Sequence, residues 1–302
     1  MISLGLKHYP QNRFQQDQKY LWNPIQKKGY KHRPEERIRL QFIEYLIHEA
    51  GFSKHRIALE SPVTLPRDKA SSRTDVLCFD DNFKPLLLVE CKAAKVQLDE
   101  KTSIQIARYN TEIGAPFLMV TNGQRDFWFM METDQINLLQ EPPALFTSKK
   151  TIERNFEYWQ HRGFVGTIEE PVIKQWIVEN CQQLYVESSS PAHYFDFDGT
   201  EQDLQLPNYY QILLINEQSR LAVSLTATSF GATKMNVILN KGGENRALLS
   251  ASIDTLASDE VENTMIQNAN GITMVDLVEE VGFDFLKSIT HIAQPVCELM
   301  LR

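Results

Sequence analysis

Cysteine is scarce and scattered. Cys78, Cys91, Cys181 and Cys297 stand far apart with no CxxC pair, which argues against a zinc knuckle or a disulfide scaffold and fits a reducing, cytoplasmic setting. No stretch approaches the roughly eighteen apolar residues that a membrane-spanning helix needs. The opening MISLGLKHYPQNRF has no apolar core and no small-residue cleavage site, so no secretory signal is expected. GxxxxGK[ST] does not occur, so neither a P-loop motor nor ATP is expected. The seven histidines form no HxH or HExxH pattern, and His48 and His55 read as surface or capping residues rather than ligands. What is present is ordinary globular composition: 302 residues, 42% hydrophobic and 23% charged, enough for one large domain or two of normal size.

The net charge of −8 is unevenly divided. Residues 1–132 hold 20 Lys and Arg against 16 Asp and Glu, a balance of +4, and residues 133–302 hold 11 against 23, a balance of −12. Only the basic part suits an anionic polymer. Within it, residues 1–33 carry Lys7, Arg13, Lys19, Lys27, Lys28, Lys31 and Arg33 against the single acid Asp17, interleaved with Tyr9, Phe14, Tyr20, Trp22 and Tyr30. An arm that tracks phosphates and stacks on bases has this composition. So does an extension whose aromatics dock on the neighbouring domain.

Pro34, Glu35 and Glu36 suit the first turn of a helix with an apolar face at Ile38, Leu40, Phe42, Ile43, Leu46 and Ile47, ended by Gly51. Residues 56–65 read as a strand interrupted at Pro62, and 73–80 and 85–92 as two more. A helix over 99–113, capped by Asp99 or Thr102, and strands at 116–121 and 127–130 follow. From 133 the character changes, and Pro142-Pro143 marks a domain boundary. Beyond it come helices at 149–160 and 170–187, a turn-rich segment, and strands near 209–215, 219–228, 233–240 and 245–253, with Lys241-Gly242-Gly243 as a hairpin turn. A helix over 273–302, kinked or broken at Pro295, closes the chain. Three segments are therefore expected: an extension over 1–33, a domain over 34–140 and an α+β domain over 141–302.

The chemistry concentrates in residues 73–92. A hairpin with the loop Asp81–Lys84 sets Asp80 against Pro85 and makes paired positions sum to 165, so Asp75 lies opposite Glu90 on one sheet face. The period of two adds Lys92 to that face, sends the Cys91 side chain to the other and leaves the Cys91 carbonyl at the strand edge. Val76, Leu77, Leu87, Leu88 and Val89 bury these strands, so two opposed carboxylates are costly unless used. Hard oxygen ligands with open water positions suit Mg²⁺, with Mn²⁺ as a substitute, bound by Asp75, Glu90 and the Cys91 carbonyl. Lys92 would then hold or deprotonate the attacking water, or balance charge. The alternative is an Asp–Lys–Glu ion pair on a solvated face.

This stretch resembles the PD-(D/E)xK nuclease superfamily, with Asp75 and Glu90-Cys91-Lys92 as its signature. More closely, residues 34–131 resemble the N-terminal nuclease domain of type I restriction enzyme R subunits, through PEERIR (34–39), RTDVLCFD (73–80), KPLLLVECKA (84–93), QIARY (105–109) and FLMVTNG (117–123) in that order. The resemblance implies a restriction-endonuclease-like α/β core, a central mixed sheet flanked by helices, followed by the α+β domain. It implies Mg²⁺-dependent hydrolysis of DNA in restriction or defence, with other restriction or defence subunits as partners. Asp75 and Glu90 would be metal ligands and Lys92 the catalytic lysine. Gln105 and Tyr109 match a QxxxY element and, spaced i, i+4, share a helix face. The helix acid maps to Glu36 or Glu35, with Glu36 preferred because it continues the Leu40, Ile43, Ile47 stripe inward. The R subunit's ATPase motor has no counterpart here. A non-catalytic binding module on the same scaffold is the alternative function.

Residues 194–200, YFDFDGT, contain the DxDGT of haloacid-dehalogenase-like phosphatases. SSSPAHYF is a poor buried strand to precede it, and Gly199 falls at the wrong place for an EF-hand, so a polar turn is expected. Tyr209, Tyr210 and Phe230 read as hairpin core rather than a stacking platform.

Overall fold

The elements that place the candidate site all lie in the first of two units of the computed structural model, which describes residues 1–63, 72–98, 100–132, 135–147, 150–195, 208–257 and 262–302. This unit comprises Met1–Gln11 and Tyr20–Ile152; the second comprises Asn12–Lys19 and Glu153–Arg302. In chain order the elements are β1 (Asn12–Gln15), β2 (Gln18–Asn23), β3 (Lys28–Tyr30), α1 (Pro34–His48), β4 (Ile57–Leu59), β5 (Pro62–Val63), β6 (Ser72–Arg73), β7 (Val76–Phe79), β8 (Pro85–Cys91), α2 (Glu100–Ile113), β9 (Phe117–Thr121), β10 (Asp126–Glu132) and β11 (Gln135–Leu139). Asp99, one of the two expected caps of α2, lies outside the described residues.

Six strands form a mixed sheet in the order β11-β10-β9-β8-β7-β4. β8 and β9 run parallel, which requires a crossover, and α2 supplies it. Leu40, Phe42, Ile43 and Leu46 of α1 pack with Val76, Cys78, Leu87 and Val89 on one face. Ile106 of α2 packs with Leu77, Leu88, Leu118 and Val120 on the other. Coverage of both faces explains why β8 reads as the nearly continuous apolar run PLLLVEC.

The β7–β8 register follows the expected sum at Val76↔Val89, Leu77↔Leu88 and Cys78↔Leu87, then shifts, so that Phe79 rather than Asp80 pairs with Pro85. The cause is local. Asp80 Oδ1 accepts hydrogen bonds from the Asn82 and Lys84 N–H groups, and Phe83 takes φ +58°, which tightens the turn and draws Asp80 out of the ladder.

Of residues 1–33, Met1–Gln11 docks on the first unit. Ser3 N–H donates to Gln124 O at 3.0 Å, Leu4 N–H donates to Asp126 Oδ2 at 2.9 Å, and Tyr9 and Leu21 are buried. The basic residues are divided between the two units. Lys19 belongs to the second unit and its Nζ donates to Gly163 O, where burial lowers its pKa to about 7. Lys28, Lys31 and Arg33 stay exposed in the first. The change of unit at Ile152/Glu153 falls beyond Pro142-Pro143, because Phe146 is buried among Phe52, Phe117 and Trp128 and its carbonyl accepts from Tyr45 Oη at 2.5 Å.

The second unit is α+β. It contains α3 (Phe156–His161), α4 (Pro171–Gln182) extended by a π-helical turn at Gln183–Glu187, β12 (His193–Phe195), β13 (Asn208–Leu214), β14 (Ser219–Ala227), β15 (Thr233–Lys241), β16 (Glu244–Ser252), α5 (Ile253–Leu256), β17 (Thr264–Asn268), β18 (Gly271–Val275), α6 (Leu277–Val281) and α7 (Ile289–Met300). β12 to β18 form one antiparallel sheet in sequence order, and Gly242 and Gly243, both with positive φ, make the β15–β16 turn.

Four expectations are corrected here. The helix over 149–160 shrinks to α3, because Asn155 caps it by accepting from the Tyr158 N–H. The helix over 273–302 begins as strand, since Gly271–Val275 pairs with β17, and α6 starts only where Asp276 caps it. Of the kink or break expected at Pro295, the break does not occur: Pro295 lies inside α7, whose flanking Ile292, Ala293, Val296 and Cys297 are buried. Phe230 is 87% exposed in a turn rather than in the hairpin core, whereas Tyr209 is buried. In YFDFDGT, residues 196–200 lie outside the described residues. All four cysteines are buried and free. Among the described residues no helix is long and apolar enough to cross a membrane.

Candidate active site

The C-terminal end of β8 gathers side chains from both covering helices. Alternation turns Glu90 toward α2, where Gln105 Nε2 donates to Glu90 Oε1 at 3.1 Å. Lys92 Nζ donates to the same oxygen at 2.8 Å and to Gln105 Oε1 at 3.4 Å. Gln105 Nε2 also reaches Tyr109 Oη at 3.2 Å, one helical turn further along α2. Glu90, Lys92, Gln105 and Tyr109 thus form one hydrogen-bonded chain.

Asp75 sits just before the first β7 ladder pair, in a bend. Its Oδ2 accepts from the Cys91 N–H at 2.6 Å, taking the place of a ladder bond, and its Oδ1 accepts from Arg39 Nη2 at 3.1 Å. The carboxylate therefore ties the sheet to α1, whereas Glu90 turns to α2, so the expected placement of Asp75 opposite Glu90 on one face is corrected: Asp75 precedes the ladder and its side chain bonds the Cys91 N–H and Arg39 instead. Cys91 is not at a sheet edge: β8 is an interior strand, and Cys91 pairs with Thr121 of β9. Because N–H and C=O of a strand residue point to the same neighbour, its carbonyl faces the Asp75 side. Burial pushes the Cys91 thiol far up.

α1 presents Glu36 inward and leaves Glu35 exposed. Glu36 does not join the Glu90 chain; its Oε2 pairs with Arg39 at 3.1 Å, one turn along the helix. Arg39 is not among the residues expected at the site, although it lies inside PEERIR at i+3 from Glu36. It bonds Glu36, Asp75 and also Glu60, at 3.3 Å, a residue placed by an unusual φ of +51° between β4 and β5. No local pattern marks that contact.

Burial raises the Asp75 carboxyl, against the opposing pull of the Cys91 N–H and Arg39. Burial also raises Glu90, and the Asp75 charge adds to it. Glu36 is raised by burial and partly relieved by Arg39. Burial alone would lower the Lys92 ammonium, but its bond to Glu90 overrides that and holds it above the ordinary value. Three buried or half-buried carboxylates, Glu36, Asp75 and Glu90, thus face two cations, Arg39 and Lys92; Glu60 at the rim also has Arg73 at 3.9 Å.

The donor chemistry suits a hard divalent cation. Carboxylate oxygens exceed the cations that neutralise them, and Glu36 Oε1 is buried with no hydrogen-bond partner among the described residues. Among those residues, no group of three or more His, Cys, Asp or Glu is arranged to hold a metal ion. A cation would therefore rest on two carboxylates, a carbonyl and water, a set that Mg²⁺ accepts because it keeps several waters.

No curated protein matches the chain. Residues 34–143 match the family described as type I restriction enzyme R protein N terminus, a span that contains every candidate site residue from Glu36 to Tyr109.

Proposed function

We propose that the first unit is a Mg²⁺-dependent nuclease of PD-(D/E)xK type, with Mn²⁺ able to substitute, that hydrolyses phosphodiester bonds of DNA. The setting is cytoplasmic restriction or defence, with other restriction or defence subunits as partners and no ATPase motor in this chain. The observation that carries the reading is the hydrogen-bonded chain Glu90–Lys92–Gln105–Tyr109 beside Asp75, inside the span matched by a restriction-enzyme family. Asp75, Glu90 and the Cys91 carbonyl would hold the cation, which when bound supplies Lewis-acid polarisation of the phosphate. Arg39 must then release Asp75 Oδ1, which it holds at 3.1 Å.

Lys92 Nζ, 2.8 Å from Glu90 Oε1, is the group that would act at the attacking water, holding or deprotonating it. It orients the attacking water and balances the charge that develops on the phosphate. Gln105, bonded to both Glu90 and Lys92, fixes their separation, and Tyr109 fixes Gln105 in turn. Glu36 keeps Arg39 on the α1 side of the corner.

A second reading, a non-catalytic module on a nuclease-like scaffold, is favoured by one observation: Arg39 and Lys92 already serve as counter-ions to Asp75 and Glu90. Incubation with supercoiled, linear and single-stranded DNA, with and without Mg²⁺, separates the two. The nuclease reading requires Mg²⁺-dependent cleavage that Lys92→Ala abolishes while the protein still melts cooperatively. Full activity in the purified K92A protein refutes the assignment of Lys92. No cleavage by the wild type with either metal favours the module.

A further inference from the structure

A cleft of about 450 Å³ opens beside this corner, entirely within the first unit. Glu36 and Arg39 line its buried end, and Lys28, Tyr30, Lys31 and Arg33 line its exposed mouth. Both signs of charge line it throughout: buried Glu36 is paired with buried Arg39, and exposed Glu35 and half-exposed Glu60 stand with Lys28, Lys31 and Arg33, so four cations meet three carboxylates. The inner end lies one guanidinium from Asp75, since Arg39 bonds both Glu36 and Asp75. The Glu36 oxygen without a hydrogen-bond partner among the described residues belongs to that end. Tyr30 is close enough to the acids that, after burial, the Glu60 and Glu36 charges hold its phenol above the ordinary value.

The mouth is built rather than incidental. β2 and β3 pair at Leu21↔Tyr30, Trp22↔Gly29 and Asn23↔Lys28. Buried Asn23 fixes the connecting turn, its Oδ1 accepting from the Ile25 and Gln26 N–H groups at 3.0 and 3.1 Å. Gly29 lies against Tyr20, whose Cβ and Cγ would stand 3.4 and 3.7 Å from an added Cβ, ordinary van der Waals contact. Lys28 Nζ sits 5.4 Å from the centroid of Tyr30. The result is an aromatic surface with Lys28, Lys31 and Arg33 exposed beside it, leading inward to the Glu36–Arg39 pair.

A base presents its π-face to such a surface only when it is unpaired, and stacking with backbone neutralisation is how single strands are held. A cleft of this volume lies at the small end of ligand sites, which span about 300–1,000 Å³, and is too small for duplex to enter. We propose that it receives one unpaired nucleotide flanking the phosphodiester presented to Asp75, Glu90 and Lys92, so that the substrate is single-stranded DNA or a frayed end rather than closed duplex. The proposal rests on the nuclease reading for the identity of the corner, but concerns binding.

The test is fluorescence anisotropy of the full chain, in EDTA at several salt concentrations, with labelled oligo(dT) and a blunt duplex of equal length. Oligo(dT) should bind more tightly. Tyr30→Leu should weaken its binding roughly five- to a hundred-fold, the range for loss of one base–aromatic stack, and Tyr30→Phe should not. Lys28→Ala with Lys31→Ala, both exposed and so harmless to the fold, should flatten the log–log salt slope by about 1.4, the value for two phosphate contacts on a single strand. Duplex binding as tight as oligo(dT), or Tyr30→Leu and the double variant both binding as wild type, overturns the proposal. Strand binding that depends on Tyr30 without any Mg²⁺-dependent cleavage supports the cleft and refutes the nuclease reading alone.

Discussion

Arg39→Met removes a cation that joins α1 to the sheet end, at nearly constant volume. Arg39 bonds Glu36, Glu60 and Asp75 at 3.1, 3.3 and 3.1 Å. Glu60 is over a third exposed and water would replace its bond, so its share is within the 0–1 kcal/mol of a surface pair, about nothing to one. Glu36 and Asp75 are mostly buried, and breaking a buried pair by removing one partner costs about 3–5 kcal/mol. Glu36 escapes part of that by taking a proton, because its pKa is already raised by burial. We therefore expect a loss of about 3 kcal/mol at pH 8 and less at pH 5. At roughly 2–4 °C per kcal/mol for a unit near 150 residues, the midpoint of its unfolding falls by about 6–12 °C. Circular-dichroism melts at both pH values, with and without Mg²⁺, measure it. If the cation site exists, Mg²⁺ should raise the variant's midpoint more than the wild type's, since it can replace the lost guanidinium. Equal midpoints of variant and wild type at pH 8, or a larger loss at pH 5, would refute the reasoning.

Other perturbations test other parts. Relief of like charge alone would make Asp75→Asn mildly stabilising, but both oxygens accept hydrogen bonds, from Arg39 and the Cys91 N–H. An amide can satisfy only one of these, so a loss of about 1–3 kcal/mol is expected in urea titrations, together with loss of any Mg²⁺-induced shift; a more stable variant would sink this account. Burial raises Asp126 to about 6, against the lowering by Thr121 and the Leu4 N–H. Between the unfolded value near 3.9 and about 6 the native state binds the extra proton, so stability falls by about 3 kcal/mol as pH rises through that window and is flat above it. Asp126→Asn should remove that slope, and identical pH profiles of the two proteins would disprove the assignment. In the second unit, a Cβ on Gly166 would come 1.8 Å from Gly231 O, backbone that cannot rotate away. Gly166→Ala should therefore cost about 3 kcal/mol or more, and a wild-type urea midpoint would contradict it.

Local periodicity made much of this chain legible. Alternation and turn chemistry located β13 to β16 and the Gly242-Gly243 turn, because each hairpin of that meander pairs only with its sequence neighbours. The same logic put Glu90 and Lys92 on one face, and the 3.6-residue period put Gln105 and Tyr109 on another facing it. Helix amphipathicity turned Glu36 inward and Glu35 outward. Tertiary structure alone decided the rest. Arg39 meets Asp75 and Glu60 through packing of α1 on the sheet, a long-range event that no periodicity encodes. Asp75 leaves the ladder because its side chain competes successfully for the Cys91 N–H, and β18 replaces a helix because β17 offers it an edge. The hairpin cleft likewise exists only once Leu21 is anchored in the core and the β2–β3 turn is held over α1. Sequence spacing fixes which side chains share a face; which faces then meet depends on burial summed over the whole unit.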